Sequence, residues 1–141
     1  MDRILVDGVD VTDRLLSFGT KEASLRDVEV VLSDRVTVLD GTVTDRRGRP
    51  AIGATAIVFS TDPALWYAET RYVLMSGTVD GTFVEERLPP GRYFVTALEK
   101  SSSLLLEDRL DDRTFLEALV PGAARVTLEA GQRATVLLQA R

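Results

Sequence analysis

The segment Leu88-Pro-Pro-Gly-Arg-Tyr-Phe-Val95 decides the fold of this chain, because it joins a tight turn to a strand of alternating polarity. Pro90 fixes φ at about −65° at the second position of a turn, and Gly91 tolerates a positive φ at the third, so residues 89–92 are predicted to form a type II turn. Tyr93 follows directly, at a place where a tyrosine often anchors a corner of a β-sandwich through a hydrogen bond from its hydroxyl to the backbone. We therefore expect Tyr93 to be structural.

Turn signals separate short apolar or β-branched runs on both sides of this segment. Gly48 can adopt a positive φ in the loop over residues 45–50, and Pro50, which cannot donate to a β-ladder, marks a strand boundary. Asp80-Gly81 is a second turn signal, between two strands that are predicted to pair. The chain is therefore predicted to be all-β, an antiparallel β-sandwich of about seven to nine strands.

One short helix is predicted near residues 112–119. Asp112 is placed to cap the free N–H groups at its start, three apolar side chains share one face, and Pro121 ends it. Residues 28–141 are predicted to form the sandwich, and residues 1–27 an N-terminal strand and a connecting extension. With 141 residues, the whole chain is expected to form a single domain.

The composition excludes several kinds of catalytic group and metal site. The chain has no histidine and no cysteine, which excludes imidazole acid–base catalysis, thiol nucleophiles and metal sites built on those residues. Its net charge of −5 disfavours nucleic acid as a partner, because neutralising phosphates needs a basic face. No stretch approaches the roughly 20 apolar residues of a membrane span, and no signal peptide is recognised, so we expect no membrane insertion. No cofactor is expected.

Three spaced motifs carry a resemblance to a known family: Gly41-Thr-Val-Thr-Asp45 with Gly53-Ala54, then Asp80-Gly81-Thr82-Phe83, then Leu88-Pro-Pro-Gly91 with Tyr93. Together they resemble the carboxypeptidase regulatory-like domain, over residues 36–98. The resemblance implies a transthyretin-like, or prealbumin-like, β-sandwich of immunoglobulin-like architecture that acts as a non-catalytic accessory module. It also implies a larger bacterial secreted or outer-membrane protein, and hence a location outside the cytoplasm.

The resemblance also bears on activity and partners. The hydrolase branch of the transthyretin-related proteins uses histidines, which this chain lacks, so no enzymatic activity is expected. The implied partners are neighbouring domains of the parent protein, or another protein. Such a partner would meet an exposed strand edge or the loops at one end of the sandwich.

An aromatic loop is the best candidate for a ligand-binding site. It contains Trp66, Tyr67, Arg71 and Tyr72, and flat rings offer a large contact area at a low entropic cost. A carbohydrate- or peptide-binding module that uses this loop is therefore the alternative function. The competing interpretation is that the Trp66 ring plugs the open end of the sandwich.

The acidic residues are weaker candidates. Asp7, Asp10 and Asp13 could share a calcium ion, but their spacing lacks the glycine and the bidentate glutamate of an EF-hand, so turn and cap roles are favoured and no metal is expected. Glu85 and Glu86 are neighbours on a strand and point to opposite faces, so they cannot work together as an acid–base pair. A hydrolase that works through carboxylates alone is the third hypothesis.

Overall fold

The computed structural model describes residues 3–14, 16, 25–67, 70–100, 106 and 109–141. The chain divides into two compact units, Met1–Arg35 and Val36–Arg141. The first unit contains β1 (Arg3–Val6), β2 (Val9–Asp10) and β3 (Val28–Val31), which form an antiparallel sheet in the order β2-β1-β3.

The β3 strand has a different partner from the one expected. We expected the sandwich to begin at residue 28, but β3 pairs with β1, with Val28 opposite Val6 and Val30 opposite Ile4. The alternation of residues predicted a strand here, whereas the partner of a strand is decided by side-chain matching across the ladder. That the two units together form a single domain stays a prediction.

Seven strands and one helix make up the described part of the second unit. Their bounds are β4 (Val38–Thr44), β5 (Thr55–Ser60), β6 (Val73–Gly77), β7 (Thr82–Glu85), β8 (Gly91–Leu98), α1 (Arg113–Leu119), β9 (Ala124–Leu128) and β10 (Arg133–Gln139). The strands form two sheets, in the orders β10-β4-β7 and β6-β5-β8-β9. The pairing predicted across Asp80-Gly81 was therefore wrong, since β6 pairs with β5 and β7 with β4. The prediction of an all-β sandwich with one short helix is confirmed.

One strand pair departs from the predicted antiparallel arrangement. β10 runs parallel to β4, from Arg133 opposite Val38 to Gln139 opposite Thr44, whereas the other ladders between named strands are antiparallel. The chain leaves β9 in one sheet and enters β10 in the other. Alternation along a strand defines its two faces but not its direction relative to a neighbour, so the sequence did not show this pairing.

Two apolar cores lie on the two sides of the four-stranded sheet. Between the sheets, Tyr93 and Val95 of β8 join residues of both sheets in the first core. On the opposite face of β8, Phe94 belongs to a second core. The helix α1 covers this second core with Phe115, Leu116 and Leu119, and Asp112 caps it by accepting a hydrogen bond from the Thr114 N–H at 2.9 Å.

The turn before β8 is not the predicted type II turn. Gly91 lacks the positive φ that such a turn requires and is the first residue of β8, while Pro90 lies exposed before it. The small size of Gly91 serves a different purpose, since a Cβ there would lie 3.3 Å from the Tyr93 ring. The Tyr93 hydroxyl donates a hydrogen bond to the Pro89 carbonyl at 2.7 Å. The predicted corner is therefore present. The Tyr93 ring packs over Gly91, and its hydroxyl is bonded to the Pro89 carbonyl.

The other two predicted turn glycines have the expected conformation. Gly48 has a φ of 77° and Gly81 a φ of 76°. At Gly81 space is also limiting, because a Cβ would lie 2.8 Å from the Pro50 Cβ and 2.9 Å from the Val43 carbonyl oxygen. Pro50 forms an isolated bridge with Thr44. These turns are packed against each other, which explains why glycine and proline stand there.

Replacing Tyr93 by phenylalanine should lower the free energy of unfolding by about 1–3 kcal/mol, because the buried Pro89 carbonyl loses its partner. Urea denaturation measures the change. Leu137→Thr is a suitable control, since Leu137 is 82% exposed and its replacement should alter stability by no more than about 0.5 kcal/mol. If Tyr93→Phe is as stable as this control, the corner bond contributes nothing.

Candidate functional site

Trp66 is a core residue. It follows a short 3-10 turn over Pro63–Leu65, which Asp62 caps by accepting a hydrogen bond from the Ala64 N–H at 2.9 Å. The Trp66 side chain is 8% exposed, and its indole N–H donates to the Ser60 carbonyl at 2.7 Å. Its ring meets Phe59 edge to face, with 5.4 Å between centroids. The Trp66 ring is therefore packed, as the competing interpretation held, but it lies in the second core rather than at the open end of the sandwich.

Tyr72 and Arg71, two other members of the predicted aromatic site, lie on the opposite side of the same sheet from Trp66. Tyr72 packs against the first core and stacks on Tyr93 at 6.5 Å between centroids, and the Arg71 guanidinium carbon lies 5.6 Å from the Tyr72 ring. Trp66 packs in the second core. The four residues therefore do not form one exposed platform. A ligand-binding role for Tyr67, Arg71 and Tyr72, all half-buried, stays a prediction.

Asp10 and Asp45 have shifted pKa values, and each carboxylate accepts hydrogen bonds from residues of its own turn. Hydrogen bonds from the Thr12 hydroxyl and N–H lower the pKa of Asp10. At Asp45, hydrogen bonds from the backbone and side chain of Arg49 and from the Arg47 N–H outweigh desolvation and lower the pKa. In each case the partners are close in sequence, so the carboxylate organises its own loop.

Glu85 is the one buried acid among the described residues, with 4% of its surface exposed. Burial is the largest influence on its pKa and acts to raise it. The side-chain and backbone hydrogen bonds from Arg87, the charge of Arg87 and the Glu86 N–H together outweigh burial, so the pKa of Glu85 is lowered. The Arg87 guanidinium contacts both carboxylate oxygens at 2.9 Å. Glu86 is exposed, which confirms that the two glutamates point to opposite faces.

For Asp7, Asp10 and Asp13, the sequence favours turn and cap roles over calcium binding. In the described ranges, no three acidic side chains come together in a group that could hold a metal ion. Asp7 lies in the β1–β2 turn at a φ of 50°, and Asp10 bonds to Thr12. These positions fit the turn and cap roles that the sequence favoured.

A surface cleft on the outer face of the four-stranded sheet was not anticipated. We call it the β8–β9 cleft; its volume is about 400 Å³, and it is lined by Thr61, Arg92, Phe94, Arg125, Val126 and Thr127. Arg92 lies opposite Thr127 and Phe94 opposite Arg125 in the β8–β9 ladder. The alternation of β8 puts Arg92 and Phe94 on the face away from Tyr93. The ladder register, which the sequence does not contain, brings the two arginines together.

The arginines of this cleft are exposed and hold no ion pair with any described residue. The Arg125 guanidinium carbon lies 5.4 Å from the centroid of the Phe94 ring, and the ring itself is 7% exposed. The Arg92 carbonyl accepts a hydrogen bond from the Thr61 N–H at 2.9 Å, while the Thr61 and Thr127 side chains make none among the described residues. The cleft therefore offers two cationic groups and two hydroxyls.

A second cleft, of about 370 Å³, lies between the ends of β8 and β10. Its cations are already engaged. Arg46 forms an ion pair with Glu99 at 3.7 Å, and the Arg141 guanidinium donates to the Leu119 carbonyl at 2.6 Å, where it satisfies a free carbonyl at the end of α1. This cleft is used for packing, so the β8–β9 cleft is the stronger candidate site.

Comparison with known proteins leaves the family open. No family model matches the chain, and no curated protein matches it. A solved structure of the TIE protein of Bacillus anthracis is 15% identical over 82% of this chain, with a TM-score of 0.46; this chain spans 18% of its length. A Pseudomonas aeruginosa protein named provisionally as carbohydrate-binding is 14% identical over 74% of this chain and 88% of its own, with a TM-score of 0.46.

A third solved structure is the dioxygenase domain of a dioxygenase and carbohydrate-binding protein fusion from Streptomyces sp. SirexAA-E. It is 17% identical over 77% of this chain and 83% of its own, with a TM-score of 0.42. At these identities and TM-scores, none of the three says what this chain binds.

No membrane-crossing helix is found within the described ranges; α1, for example, has seven residues. This is far below the roughly 20 residues that a transmembrane helix needs.

Replacing Trp66 by alanine should lower the free energy of unfolding by about 3–5 kcal/mol, because it leaves a cavity in the second core. Trp66→Phe keeps most of the packing and loses the hydrogen bond, so a smaller loss of about 1–3 kcal/mol is expected. Thermal or urea denaturation measures both variants. An alanine variant as stable as the wild type would restore the interpretation of Trp66 as an exposed binding residue.

Replacing Glu85 by glutamine should destabilise the unit near neutral pH, and the difference from the wild type should shrink in acid. Because the pKa of Glu85 is lowered on folding, its ionised form adds stability that is fully present above its ordinary value of 4.5 and is lost as the pH falls through the folded pKa. Urea denaturation at several pH values between about 7 and about 3 tests this. Arg87→Gln, which removes the partner, should reproduce part of the effect. A difference that is constant over this range would contradict the assignment.

Proposed function

We propose that this chain is a non-catalytic interaction module of a larger bacterial protein that works outside the cytoplasm, and that its binding surface is the β8–β9 cleft. The location and the accessory role come from the resemblance of residues 36–98 to the carboxypeptidase regulatory-like domain. The cleft suits a partner that meets loops and strand edges, since Thr61 follows β5 directly and β9 is the edge strand of its sheet.

The observation that carries this proposal is the unused charge in the cleft. Five arginines in the described part of the second unit pair with acids, namely Arg46, Arg49, Arg87, Arg113 and Arg133, and Arg141 bonds to the end of α1. Arg47 and Arg109 have no acid partner among the described residues either, but they do not lie beside a second arginine in a cleft. Arg92 and Arg125 instead lie side by side without an acid. The pair gives this cleft a positive charge that no acid of the described residues neutralises, and such a patch suits an anionic ligand.

The lining of the cleft favours binding over catalysis. Its six residues supply guanidinium, hydroxyl and apolar groups but no carboxylate, so the cleft itself has no general base and no nucleophile–base pair. The buried acid, Glu85, is already held by Arg87. These groups suit recognition of a ligand that carries negative charge or hydrogen-bond acceptors. The alternative, a glycan site on the aromatic loop, has less support because Trp66 is buried.

Binding can be tested with the full chain and a panel of neutral glycans, acidic glycans and peptides of mixed composition, followed by NMR shift perturbation. We expect shifts to cluster at the cleft, the ligand to be released unchanged, and the double variant Arg92→Ala/Arg125→Ala to weaken binding at least about tenfold, the equivalent of 1.4 kcal/mol. Arg47→Ala is the matched control, because Arg47 lies in the exposed turn after Asp45. Equal binding by the double variant, conversion of the ligand, or no binding by the whole panel would overturn the proposal.

A further inference from the structure

The spacing of the two arginines in the β8–β9 cleft selects among charged ligands. Arg92 lies opposite Thr127, and Arg125 lies opposite Phe94, so the arginines are diagonal neighbours on one face of an antiparallel pair. Such neighbours have Cα atoms about 7–8 Å apart. Because both side chains leave the same face of the sheet, a separation of this order is the simplest match for two anionic groups that meet both guanidiniums at once.

An extended peptide has this spacing built into its backbone. Each residue of a β-strand advances about 3.3 Å, and alternate side chains point the same way, so residues i and i+2 present their side chains about 6.6 Å apart. A guanidinium binds a carboxylate with two parallel hydrogen bonds, which adds direction to the charge attraction. Acidic residues at alternate positions therefore match the two arginines.

The cleft is organised before the ligand arrives. The Phe94 ring is held in the second core at 5.4 Å from Phe59, and Arg125 lies over that ring. A stacked guanidinium has less conformational freedom to lose on binding than an isolated one. On the other side, the Thr61 N–H fixes the backbone at Arg92. The hydroxyls of Thr61 and Thr127 remain available for the backbone of an extended ligand.

An acidic glycan fits this cleft less well. Sugar rings are commonly bound by stacking on an exposed aromatic face. Here the Phe94 ring is 7% exposed and Arg125 lies against it, so no aromatic surface is offered. The cleft instead supplies two positive charges and two hydroxyls, and its two arginines are separated by about the distance between alternate residues of an extended peptide.

We propose that the β8–β9 cleft binds an extended acidic peptide segment with Asp or Glu at alternate positions, one carboxylate meeting Arg92 and the other Arg125. This inference rests on the proposed function, because it names the ligand of the same cleft. Binding should weaken as salt is added, since the contacts are exposed ion pairs.

The test compares three synthetic eight-residue peptides by isothermal titration calorimetry on the full chain. One peptide has acids at alternate positions, a second has the same acids in a contiguous block, and a third carries Asn and Gln in their place. We expect the alternating peptide to bind at least fivefold more tightly than the block peptide, and more tightly still than the neutral one. Arg92→Gln and Arg125→Gln should each remove the preference for alternation, while Arg47→Gln should keep it.

A further probe, an oligouronate, distinguishes the proposal that the cleft is a binding surface from the proposal that its ligand is an acidic peptide. If the oligouronate binds the cleft more tightly than the alternating peptide, with loss in the arginine variants, the peptide inference is wrong and the cleft remains a binding surface. Equal affinity for the alternating and block peptides would show unspecific charge attraction and would also overturn the inference. If no probe binds through Arg92 and Arg125, both proposals fail.

Discussion

The burial of β8 on both faces is the constraint on which the second unit depends. One face supplies Tyr93, Val95 and Ala97 to the core between the sheets, and the other supplies Phe94 to the core beneath α1. A strand buried on both sides must be apolar at successive positions rather than at alternate ones. Residues 93–97 of β8 are buried in succession, so the alternating polarity predicted for this strand was wrong. The corner made by Tyr93 and Pro89 sets the point at which the strand enters this environment.

The same constraint explains why a cleft exists. The helix α1 covers part of the outer face of the four-stranded sheet, over Phe59 and Phe94. Arg92 precedes the buried part of β8. Arg125 lies on the edge strand β9. Both residues therefore lie at the edge of the region that α1 covers. The margin of a covered sheet is a place where apolar packing ends and long polar side chains can lie on a formed surface.

Much of this fold could be predicted from local signals. The turn glycines Gly48 and Gly81, the cap at Asp112 and the Tyr93 corner are each set by a residue whose geometry leaves few choices. The failures concern partners and surroundings. The prediction of a positive φ at Gly91 was wrong, because the Tyr93 ring requires the small size of this residue and not a left-handed backbone. The burial of Trp66 could not be predicted, because an aromatic residue in a loop has the same sequence signature whether it faces solvent or the core. The cleft was missed because it depends on the register of β8 and β9.

The parallel pairing of β10 with β4 has a consequence for how the molecule forms. The contact between Asp40 and the Thr135 hydroxyl joins residues 95 positions apart, and the β10-β4-β7 sheet has β4 at its centre. Closing so long a loop costs entropy before any contact repays it, which places this unit among slow-folding topologies. Until β10 arrives, one edge of β4 presents unpaired N–H and C=O groups. An edge of this kind is a template for pairing with another chain, so the β10–β4 ladder protects the unit against aggregation as well as completing the sheet.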